Sequence, residues 1–280
     1  MTSSPLSAGQ LILVATPIGN LGDMTARAIE VLRTVPIIAC EDSRRTGMLL
    51  SHLGIASPKL VVVNDHTERE RAGRLIEDMH QGSNVALVSD AGMPGVSDPG
   101  EALVAAVHAA GLSVSVVPGA SAVLGALVVS GLPCARFVME GFLPRKGVAR
   151  QQRVASIAAD ERTTVVYESP QRLAATLRDL AAACGPARLA AVVRELTKLH
   201  EEIARGSLAE LADRFADGTR GEIVLVIGGG PAPEEVTDVT IDNALALERS
   251  NGLSNRDAVT AVASGLGVSK NRVYERSLGS

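Results

Sequence analysis

The stretch NVALVSDAGMPGVSDPGE, residues 84–101, changes character after Ser89. Its first part is a short apolar run of the kind that forms a buried strand. Its second part contains three glycines and two prolines, and glycine lets a backbone approach a ligand with no side chain between them. We therefore predict a strand that ends in a ligand-binding loop. The DPGE sequence then predicts a helix start, with Asp98 as the N-cap, Pro99 in the first turn and Glu101 as the reciprocal cap.

The first 118 residues repeat this arrangement of an apolar run followed by a helical pattern. Strands that are apolar throughout and alternate with helices form parallel sheets whose two faces are both covered. Ligands of such sheets bind at the carboxyl ends of the strands. The strand-like runs lie at 11–16, 37–40, 60–63, 84–89 and 113–118.

A second α/β pattern follows an apolar helix, rich in small residues, at 118–133. Its strand-like runs are RFVMEGF, TTVVYE, LAAVVREL and EIVLVIGG. Residues 228–238 have the composition of a linker. The predicted architecture is two α/β domains with a ligand cleft, plus a small C-terminal helical module; the domains are predicted at residues 1–120, 121–232 and 240–280.

The C-terminal module is predicted to contain three helices. Ser254 and Ser269 are suitable N-caps, and Gly265 to Gly267 are suitable for the turn between the last two helices. This spacing is that of a helix-turn-helix. It is compatible with a structural or dimer-contact module, or with a nucleic-acid contact through Lys270, Arg272 and Arg276.

Composition and charge restrict the class of protein. The chain has 280 residues, a net charge of −4, two tyrosines, three phenylalanines and no tryptophan. This argues against a general polyanion binder and against a stacking platform for single strands, so any nucleic-acid site has to be a local patch. Three widely separated cysteines indicate reduced thiols in a cytoplasmic protein. No apolar run reaches about 18 residues, so no membrane span is predicted.

Known ligand motifs do not identify the ligand of the loop. The first strand is followed by TPIGNLGD, which lacks the G-x-G-x-x-G pattern of dinucleotide sites, and no P-loop pattern is present. The five histidines are scattered without metal-ligand spacing. The residues alone therefore predict a small-molecule site lined by backbone, with the ligand unspecified.

Three charged segments follow predicted strands and are candidate site segments. The first is also compatible with a solvated helix start, where the helix dipole favours acids, and the second with an ordinary charged surface helix. In the second, a patch that contacts phosphates is the sharper alternative. In the third, dense alternating charge at a strand end indicates a site. The segments are CEDSRRTGMLL (40–50), EGFLPRKGVARQQR (140–153) and VRELTKLHEE (193–202).

With these motifs assembled, the chain strongly resembles the bacterial 16S rRNA (cytidine-2'-O)-methyltransferases of the RsmI family, which have the tetrapyrrole methylase fold. The resemblance covers residues 10 to 280 and rests on several blocks in the right order. Met93 stands where the family usually has threonine, so we assign its cofactor contact to backbone alone. Gln171 stands where histidine is usual, which excludes a catalytic histidine there. The blocks are VATPIGNLGDMTARA, CEDSRRT, SDAGMPGVSDPG, VPGASA, EGFLPRKG, YESPQRL, RELTKLHEE and GEIVLVI.

The resemblance implies transfer of a methyl group from S-adenosylmethionine to a ribose 2'-hydroxyl of a cytidine in the decoding region of 16S rRNA. It implies a cytoplasmic homodimer that acts on rRNA, within the small ribosomal subunit, with no metal. The cofactor would lie in the cleft between the two α/β domains. The implied cofactor contacts are Pro17, Ser89, Asp90, Ala91, Gly92, Met93, Val96, Ser121, Ala122, Leu143 and Ile223.

A ribose hydroxyl is a weak nucleophile, so a positioned base, or a cation that stabilises the developing alkoxide, would assist the reaction. The candidate catalytic residues are Glu41, Asp42, Glu195 and Lys198, and the sequence does not choose among them. The candidate RNA-binding residues are Arg44, Arg45, Arg145, Lys146, Arg150 and Arg153.

Two other functions remain open at this point. One is methylation of a small tetrapyrrole on the same fold, which would not require the EDSRRT motif, the basic segment or the C-terminal module. The other is a nucleic-acid-binding regulator that uses the C-terminal module, which would leave the charged strand-end motifs without a role.

Overall fold

The computed structural model describes residues 8–56, 58–64, 67–231 and 236–278. The chain divides into two compact units, one ending at Gly230 and the other beginning at Pro231. The first unit contains two five-stranded sheets. The α/β fold with C-terminal helices is confirmed. The predicted boundary near residue 120 falls between the two sheets of this unit and stays a prediction. Residues 1–7, 57, 65, 66, 232, 279 and 280 of the predicted domains lie outside the described residues.

The first sheet is entirely parallel, as the apolar runs predict, with strand order β3-β2-β4-β1-β5. Four α-helices alternate with its strands, and a short 3-10 helix, Leu21–Asp23, follows β1. The strands are β1 Leu11–Val14, β2 Ile37–Cys40, β3 Lys59–Val62, β4 Val85–Val88 and β5 Val114–Val117; the helices are α1 Ala26–Thr34, α2 Ser43–His52, α3 Glu68–His80 and α4 Glu101–Ala109.

The start of α4 differs from the prediction. Asp98 is not its N-cap: the helix begins at Glu101 after Gly100, and no side chain of the local sequence caps it. The buried backbone amide of Leu103, in the first turn, instead donates to the buried carboxylate of Glu68 on α3, at 2.7 Å. A cap from a distant helix satisfies the same first-turn donor as a local cap does, but it leaves no signal in the adjacent sequence.

The second sheet is mixed, with strand order β6-β7-β10-β8-β9 and only the β6–β7 pair parallel. The helix α5, Ala122–Ser130, packs on one face through Val123, Ala126 and Leu127, and helices α6 to α8 cover the other. Strand β9 was missed, because EIARGS has little apolar character. The remaining elements are β6 Phe137–Phe142, α6 Val148–Ala159, β7 Thr163–Glu168, α7 Leu173–Cys184, β8 Leu189–Arg194, β9 Glu202–Ser207, α8 Leu208–Arg214 and β10 Ile223–Ile227.

The C-terminal unit has the three predicted helices: α9 Asp238–Ser250, α10 Asn255–Leu266 and α11 Lys270–Leu278. Ser254 caps α10, and the Ser269 hydroxyl accepts from the Arg272 amide. Gly265 lies inside α10, so the turn begins at Gly267, whose φ of 65° favours glycine.

The arginines of the C-terminal unit are mostly engaged within it. Arg272 pairs with Asp238 at 2.9 Å, and Arg276 pairs with Asp242. Arg249 donates to the carbonyl of Ser277 at 2.9 Å. These pairs hold α11 against α9, which favours the structural interpretation of the module over a basic nucleic-acid surface. Among all the described residues, no helix is long and apolar enough to cross a membrane.

Candidate functional site

The loops that follow β1 and β4 meet at the carboxyl edge of the first sheet. The backbones of Thr16 and Gly92 exchange two hydrogen bonds, of 2.9 and 3.1 Å. The Thr16 hydroxyl also donates to the carbonyl of Ser89, at 3.2 Å. β1 and β4 are parallel neighbours in the sheet, and these two bonds form a separate antiparallel bridge between the loops that follow them. The glycine-rich loop is therefore fixed next to residues 15–20.

Three adjoining cavities lie along these loops. The first, of about 470 Å³, is bordered mainly by the loops after β1 and β4 and by α2. The second, of about 370 Å³, lies between the glycine-rich loop and the carboxyl end of β7, the end of β8 and the start of β10. The third is a small extension of about 30 Å³ beside Gly92 and Met93. The volumes of the first and second cavities are typical of small-molecule sites.

The two large cavities differ in charge. The second is lined by the acids Asp98, Glu168 and Glu222 and contains no lysine or arginine among its lining residues. The first is lined by Arg45 and Lys198 as well as by acids. The lining of the second cavity therefore favours a cationic small molecule. In the first cavity Arg45 lies beside Asp90 and Lys198 beside Glu222, so its cations are already paired with acids.

Most of the predicted cofactor residues line these cavities. Leu143 does not: its side chain lies in the core of the second sheet, and its carbonyl accepts from Arg172 at 2.8 Å. The others are Pro17, Ser89 and Asp90 in the first cavity, Ala91 in all three, Ile223 in the second, Val96 and Ala122 in the second and third, and Gly92, Met93 and Ser121 in the third.

Gly92 has the special backbone that the loop sequence predicts. Its φ is +83°, and a Cβ there would lie 3.3 Å from Cγ2 of Ile18, which borders all three cavities. Gly95 also has a positive φ, of +82°, but it lines none of them. Asp98, which the sequence predicts as a cap, lines the second cavity.

Asp90 has one carboxylate oxygen that is engaged and one that is not. Its Oδ2 lies 3.4 Å from Nε of Arg45, whereas its Oδ1 is buried and has no hydrogen-bond partner. The Asp90 amide lies 3.4 Å from Oε2 of Glu41, which therefore supports the loop from behind. A buried acceptor without a partner is costly, so Asp90 is a candidate for a ligand contact.

Lys198 joins two carboxylates at the entrance of the first cavity. Its Nζ lies 3.0 Å from Oε1 of Glu195 and 2.9 Å from Oε2 of Glu222. Partial burial alone would lower the pKa of Lys198, but the hydrogen bonds to Glu222 and Glu195 outweigh it and raise the pKa. The pKa of Glu195 is lowered, chiefly by the hydrogen bond from the backbone amide of Glu222. Burial opposes this shift, and Lys198 adds to it. Lys198 and Glu195 are therefore both charged at neutral pH.

The turn that carries Lys198 has a strained backbone. Glu195 and Thr197 have φ values of 52° and 67°, and both are non-glycine residues. Left-handed backbone costs roughly 1–2 kcal/mol per residue, and more than usual for a β-branched side chain such as threonine. The Lys198 stem also lies over Gly19, where a Cβ would overlap it. Strain that persists at a cavity edge is typical of functional sites.

Asp42 has a structural role that limits its use as a base. It caps α2 by accepting from the Arg44 amide at 2.8 Å, and its Oδ2 pairs with the Arg44 guanidinium, also at 2.8 Å. The Arg44 side chain, and then its backbone amide, lower the pKa of Asp42 to about 2. A carboxylate with so low a pKa is a weak proton acceptor.

The basic residues of 145–153 do not form one surface. Arg150 is a correction to the predicted RNA contacts, because only 11% of its side chain is exposed and it donates to Thr176, Asp179 and the carbonyl of Pro144. Arg153 is half-exposed and pairs with Glu140 at 2.8 Å. Arg145 and Lys146 are exposed and form no ion pair within the described ranges.

Sequence reasoning missed the acidic and aromatic lining of the second cavity. Glu222 lies in the motif GEIVLVI, and Tyr167 and Glu168 lie in YESPQRL. Both motifs carry the family resemblance, but none of these three residues was predicted to belong to the site. Glu168 is completely buried and accepts from Thr176 and from the Ser169 amide. Burial raises the pKa of Tyr167, and the charge of Asp98 adds to this. The signal was available, since all three lie at strand ends.

A profile of the tetrapyrrole (corrin/porphyrin) methylases matches residues 10–212, which include both sheets apart from β10 and the loops that follow β1 and β4. The chain belongs to the tetrapyrrole methylase family. Its carboxyl-edge loops and cavities are therefore those of a tetrapyrrole methylase.

This tetrapyrrole methylase is similar over nearly its whole length to proteins named ribosomal RNA small subunit methyltransferase I. The one from Synechocystis sp. is 46% identical over 274 residues, which cover 96% of this chain and 98% of that protein. The one from Mycobacterium tuberculosis H37Rv is 43% identical and covers 98% and 96%. The one from Escherichia coli O157:H7 is 42% identical and covers 99% and 97%.

Solved structures share the fold at lower identity. The uroporphyrin III C-methyl transferase of Thermus thermophilus, complexed with S-adenyl homocysteine, has a TM-score of 0.55 and 21% identity, covering 79% of this chain and 97% of that chain. A conserved hypothetical protein from Aeropyrum pernix K1 has a TM-score of 0.63 and 18% identity, covering 96% of both chains. The second alignment reaches beyond the part that the family profile matches.

The pairing of Asp42 with Arg44 predicts a pH-dependent contribution to stability. Because the folded pKa is about 2, against an ordinary value of 3.8, the charged pair stabilises the fold above pH 4 and loses its effect as the pH falls towards 2. Asp42→Asn keeps a capping oxygen and removes the charge. The melting temperature of this variant should lie below that of the unchanged protein at pH 7, and the difference should close over that acidic window.

The control is the same substitution in an Arg44→Ala background, where the difference in melting temperature at pH 7 should be much smaller. A difference that stays constant from pH 7 to pH 2 would contradict the pairing. Thermal unfolding followed by circular dichroism at several pH values provides the measurement.

Proposed function

We propose that this protein is an S-adenosylmethionine-dependent methyltransferase that modifies the ribose 2'-hydroxyl of a cytidine in the decoding region of 16S rRNA. The observation that carries the proposal is the 42–46% identity, over nearly the full length, to proteins named ribosomal RNA small subunit methyltransferase I. The two adjoining cavities support it, because the acidic lining of the second suits a cationic donor and the first offers Arg45 and Lys198 to a phosphate-bearing acceptor beside it.

The second and third cavities suit S-adenosylmethionine. When bound, this cofactor supplies a methyl group on a positively charged sulfonium, so no metal is required to activate it. Acidic lining without lysine or arginine favours such a cation, and the apolar side chains of Val96, Phe142 and Ile223 can pack on its uncharged parts. Gly92 leaves room beside Ile18 for the ligand to reach the backbone.

The first cavity suits the acceptor ribose and its phosphates. Arg45 and Lys198 line it, and Arg44 lies exposed on the adjoining turn of α2. Arg145 and Lys146 follow β6, whose last residue, Phe142, lines the second cavity. These local cations compensate for the net charge of −4, which would otherwise disfavour RNA. Arg150 acts indirectly in this scheme, by holding the loop that carries Arg145 and Lys146.

Of the four candidate catalytic residues, Lys198 has the best-supported place, because it is charged and lines the acceptor cavity. Glu195 positions Lys198. Glu41 and Asp42 support the loop after β4 and the start of α2, respectively. We assign neither of them a chemical step.

We further propose a cytoplasmic homodimer that acts on the small ribosomal subunit. The helix α5 buries one face on the second sheet but leaves Leu124 and Val128, 53% and 70% exposed, on the other. Exposed apolar side chains on one helix face are typical of a subunit interface. Sedimentation of the purified protein measures the oligomeric state, and a monomer at micromolar concentration would contradict the dimer.

The acceptor atom gives the main test of the reaction. Mass-spectrometric mapping of rRNA methylated by the purified protein first identifies the target cytidine. Small-subunit RNA that carries 2'-deoxycytidine at that position should then accept no methyl group, because the nucleophilic oxygen is missing. RNA with the same change at a neighbouring nucleotide is the control and should still be methylated. Methylation of the deoxycytidine would point to the base instead.

The glycine loop gives a test of cofactor binding. Gly92→Val should reduce the affinity for S-adenosylmethionine, measured by calorimetry, by at least about thirtyfold, or roughly 2 kcal/mol, because the new side chain enters the cavity beside Ile18. The backbone strain of valine at positive φ has its own effect on stability. Gly111→Val is the matched control: its φ is +72°, and nothing lies within 4 Å of a Cβ there.

Both glycine variants should therefore lose stability to a similar extent, whereas the Gly111 variant should bind S-adenosylmethionine normally. Equal affinity in the two variants would show that Gly92 does not border the cofactor.

The exposed pair Arg145 and Lys146 gives a test of RNA binding. Replacing both with alanine should reduce the slope of log affinity against log salt concentration by about 2, since each phosphate contact contributes roughly 1. The affinity for S-adenosylmethionine should not change. Arg33→Ala, at the exposed end of α1, is the control and should leave the slope unchanged. An unaltered slope in the double variant would show that the loop does not touch RNA.

A further inference from the structure

Methyl transfer requires the donor carbon and the acceptor oxygen to be in contact, so it must take place where the cofactor cavity meets the acceptor cavity. The two large cavities share three lining residues, Ile18, Ala91 and Glu222. The first two have only hydrocarbon side chains. Glu222 is the one member of this shared lining that can accept a proton.

The backbone around Glu222 is fixed by the second sheet. Glu222 immediately precedes β10, the central strand. Its amide donates to Oε1 of Glu195 at 2.8 Å, and its carbonyl accepts from the Glu195 amide at 2.9 Å. The strand end and the strained turn after β8 therefore hold each other in position.

The carboxylate of Glu222 has both an orienting partner and a route to the substrate. Its Oε2 lies 2.9 Å from Nζ of Lys198, which fixes the direction of the side chain. The side chain is nevertheless 74% exposed, in contrast to 18% for Glu195. An RNA chain in the first cavity can therefore reach the Glu222 carboxylate directly, whereas Glu195 lies behind Lys198.

The other acids near the junction are less suited to accept a proton from the ribose. Glu195 lines neither large cavity and has a lowered pKa, chiefly because of the Glu222 amide. Asp90 lines only the first cavity, and Glu168 only the second. Glu168 also accepts three hydrogen bonds or ion-pair contacts within the protein, from Ser169, Thr176 and Arg172.

We propose that Glu222 is the catalytic base of the methyl transfer, and that Lys198 and Glu195 position it; this inference rests on the proposed function. As an electron pair of the ribose 2'-oxygen forms the new bond to the methyl carbon, the carbon–sulfur bond breaks and its electron pair stays on sulfur, which becomes a neutral thioether. The proton of the 2'-hydroxyl passes to the Glu222 carboxylate and then to water.

A carboxylate is an adequate base for this step. A free ribose hydroxyl is a weak acid, but its oxygen becomes strongly acidic once the bond to carbon has begun to form. The proton therefore has to be taken up only late in the reaction, by an acceptor that is already in contact. The Lys198 ammonium, 2.9 Å from the same carboxylate, stabilises the negative charge as it moves between the two oxygens.

The test uses the full-length protein and the substitution Glu222→Gln, which keeps the size of the side chain and removes the proton acceptor. With small ribosomal subunits as substrate, kcat should fall by about a hundredfold or more. The KM for RNA and the calorimetric affinity for S-adenosylmethionine should stay within about threefold of the unchanged protein, because the interaction is made in the transition state. Glu77→Gln, an exposed acid on α3, controls for the change of charge.

The dependence of kcat on pH separates a base from a mere partner of Lys198. An acid limb of kcat that belongs to the catalytic base in the unchanged protein should be absent from the variant. Other ionisable groups that face Glu222 from the cavity walls, and that remain in both proteins, are Arg45, His52, Asp90, Asp98, Tyr167, Glu168, Glu195 and Lys198.

A variant with kcat within about threefold of the unchanged protein would overturn the assignment. So would a large loss of kcat that leaves the acid limb in place, since Glu222 would then act only on Lys198. If the unchanged protein transfers no methyl group to rRNA, the proposed function fails instead, and the two failures are distinguishable.

Discussion

Two backbone hydrogen bonds between Thr16 and Gly92 hold the site together. Parallel neighbours in a sheet bring the ends of their strands together, but the loops beyond those ends are free to separate unless something pairs them. Here Thr16 and Gly92, two and four positions beyond the ends of β1 and β4, form an antiparallel bridge. The cavity walls on the side of the first sheet are therefore held in position by β1 and β4 and by this bridge. Gly92 can take part because its φ of +83° turns the chain into the loop at once.

On the side of the second sheet, the cavity wall is fixed by hydrogen bonds and ion pairs, in a turn with strained backbone. Glu195 and Thr197 adopt left-handed backbone, and the segment is retained by hydrogen bonds from the Thr197 amide to Glu201 and between Glu195 and Glu222. The side chain of Lys198 is thus placed against Gly19, which lies in the loop after β1. A lysine side chain is long and flexible, so its ammonium has no fixed position on its own. Here Glu195, Glu222 and the backbone of Gly19 restrict it.

Much of the first sheet could be predicted from the sequence, because strands buried on both faces are apolar throughout and their helices have clear periodicity. The glycine-rich loop was predictable because several glycines directly after a buried strand indicate a backbone that approaches a ligand closely. Strand β9 was not predictable in this way, since EIARGS lies at a sheet edge and has little apolar content. The cap from Glu68 to Leu103 was invisible because its two residues are 35 positions apart.

The candidate site was predictable in its backbone part and less so in its side chains. Glycines and the position after a strand predicted a loop whose backbone meets a ligand, whereas the individual cofactor contacts were implied by the family resemblance and stay a prediction. Charged side chains were harder, because sequence shows that a charge exists but not what neutralises it. Arg150 and Arg145 look alike in the segment LPRKGVAR, yet one is buried against Thr176 and Asp179 and the other is exposed.

The contact between Glu68 and Leu103 has a consequence for cooperativity. It supports the start of α4 with a side chain of α3, from Glu68, which lies about twenty residues before the glycine-rich loop in the sequence. If α3 detaches from the sheet, a carboxylate loses its buried partner and α4 loses its first-turn support at the same moment. The chain on both sides of the loop thus opens as one unit, and partially ordered forms of the cleft are disfavoured.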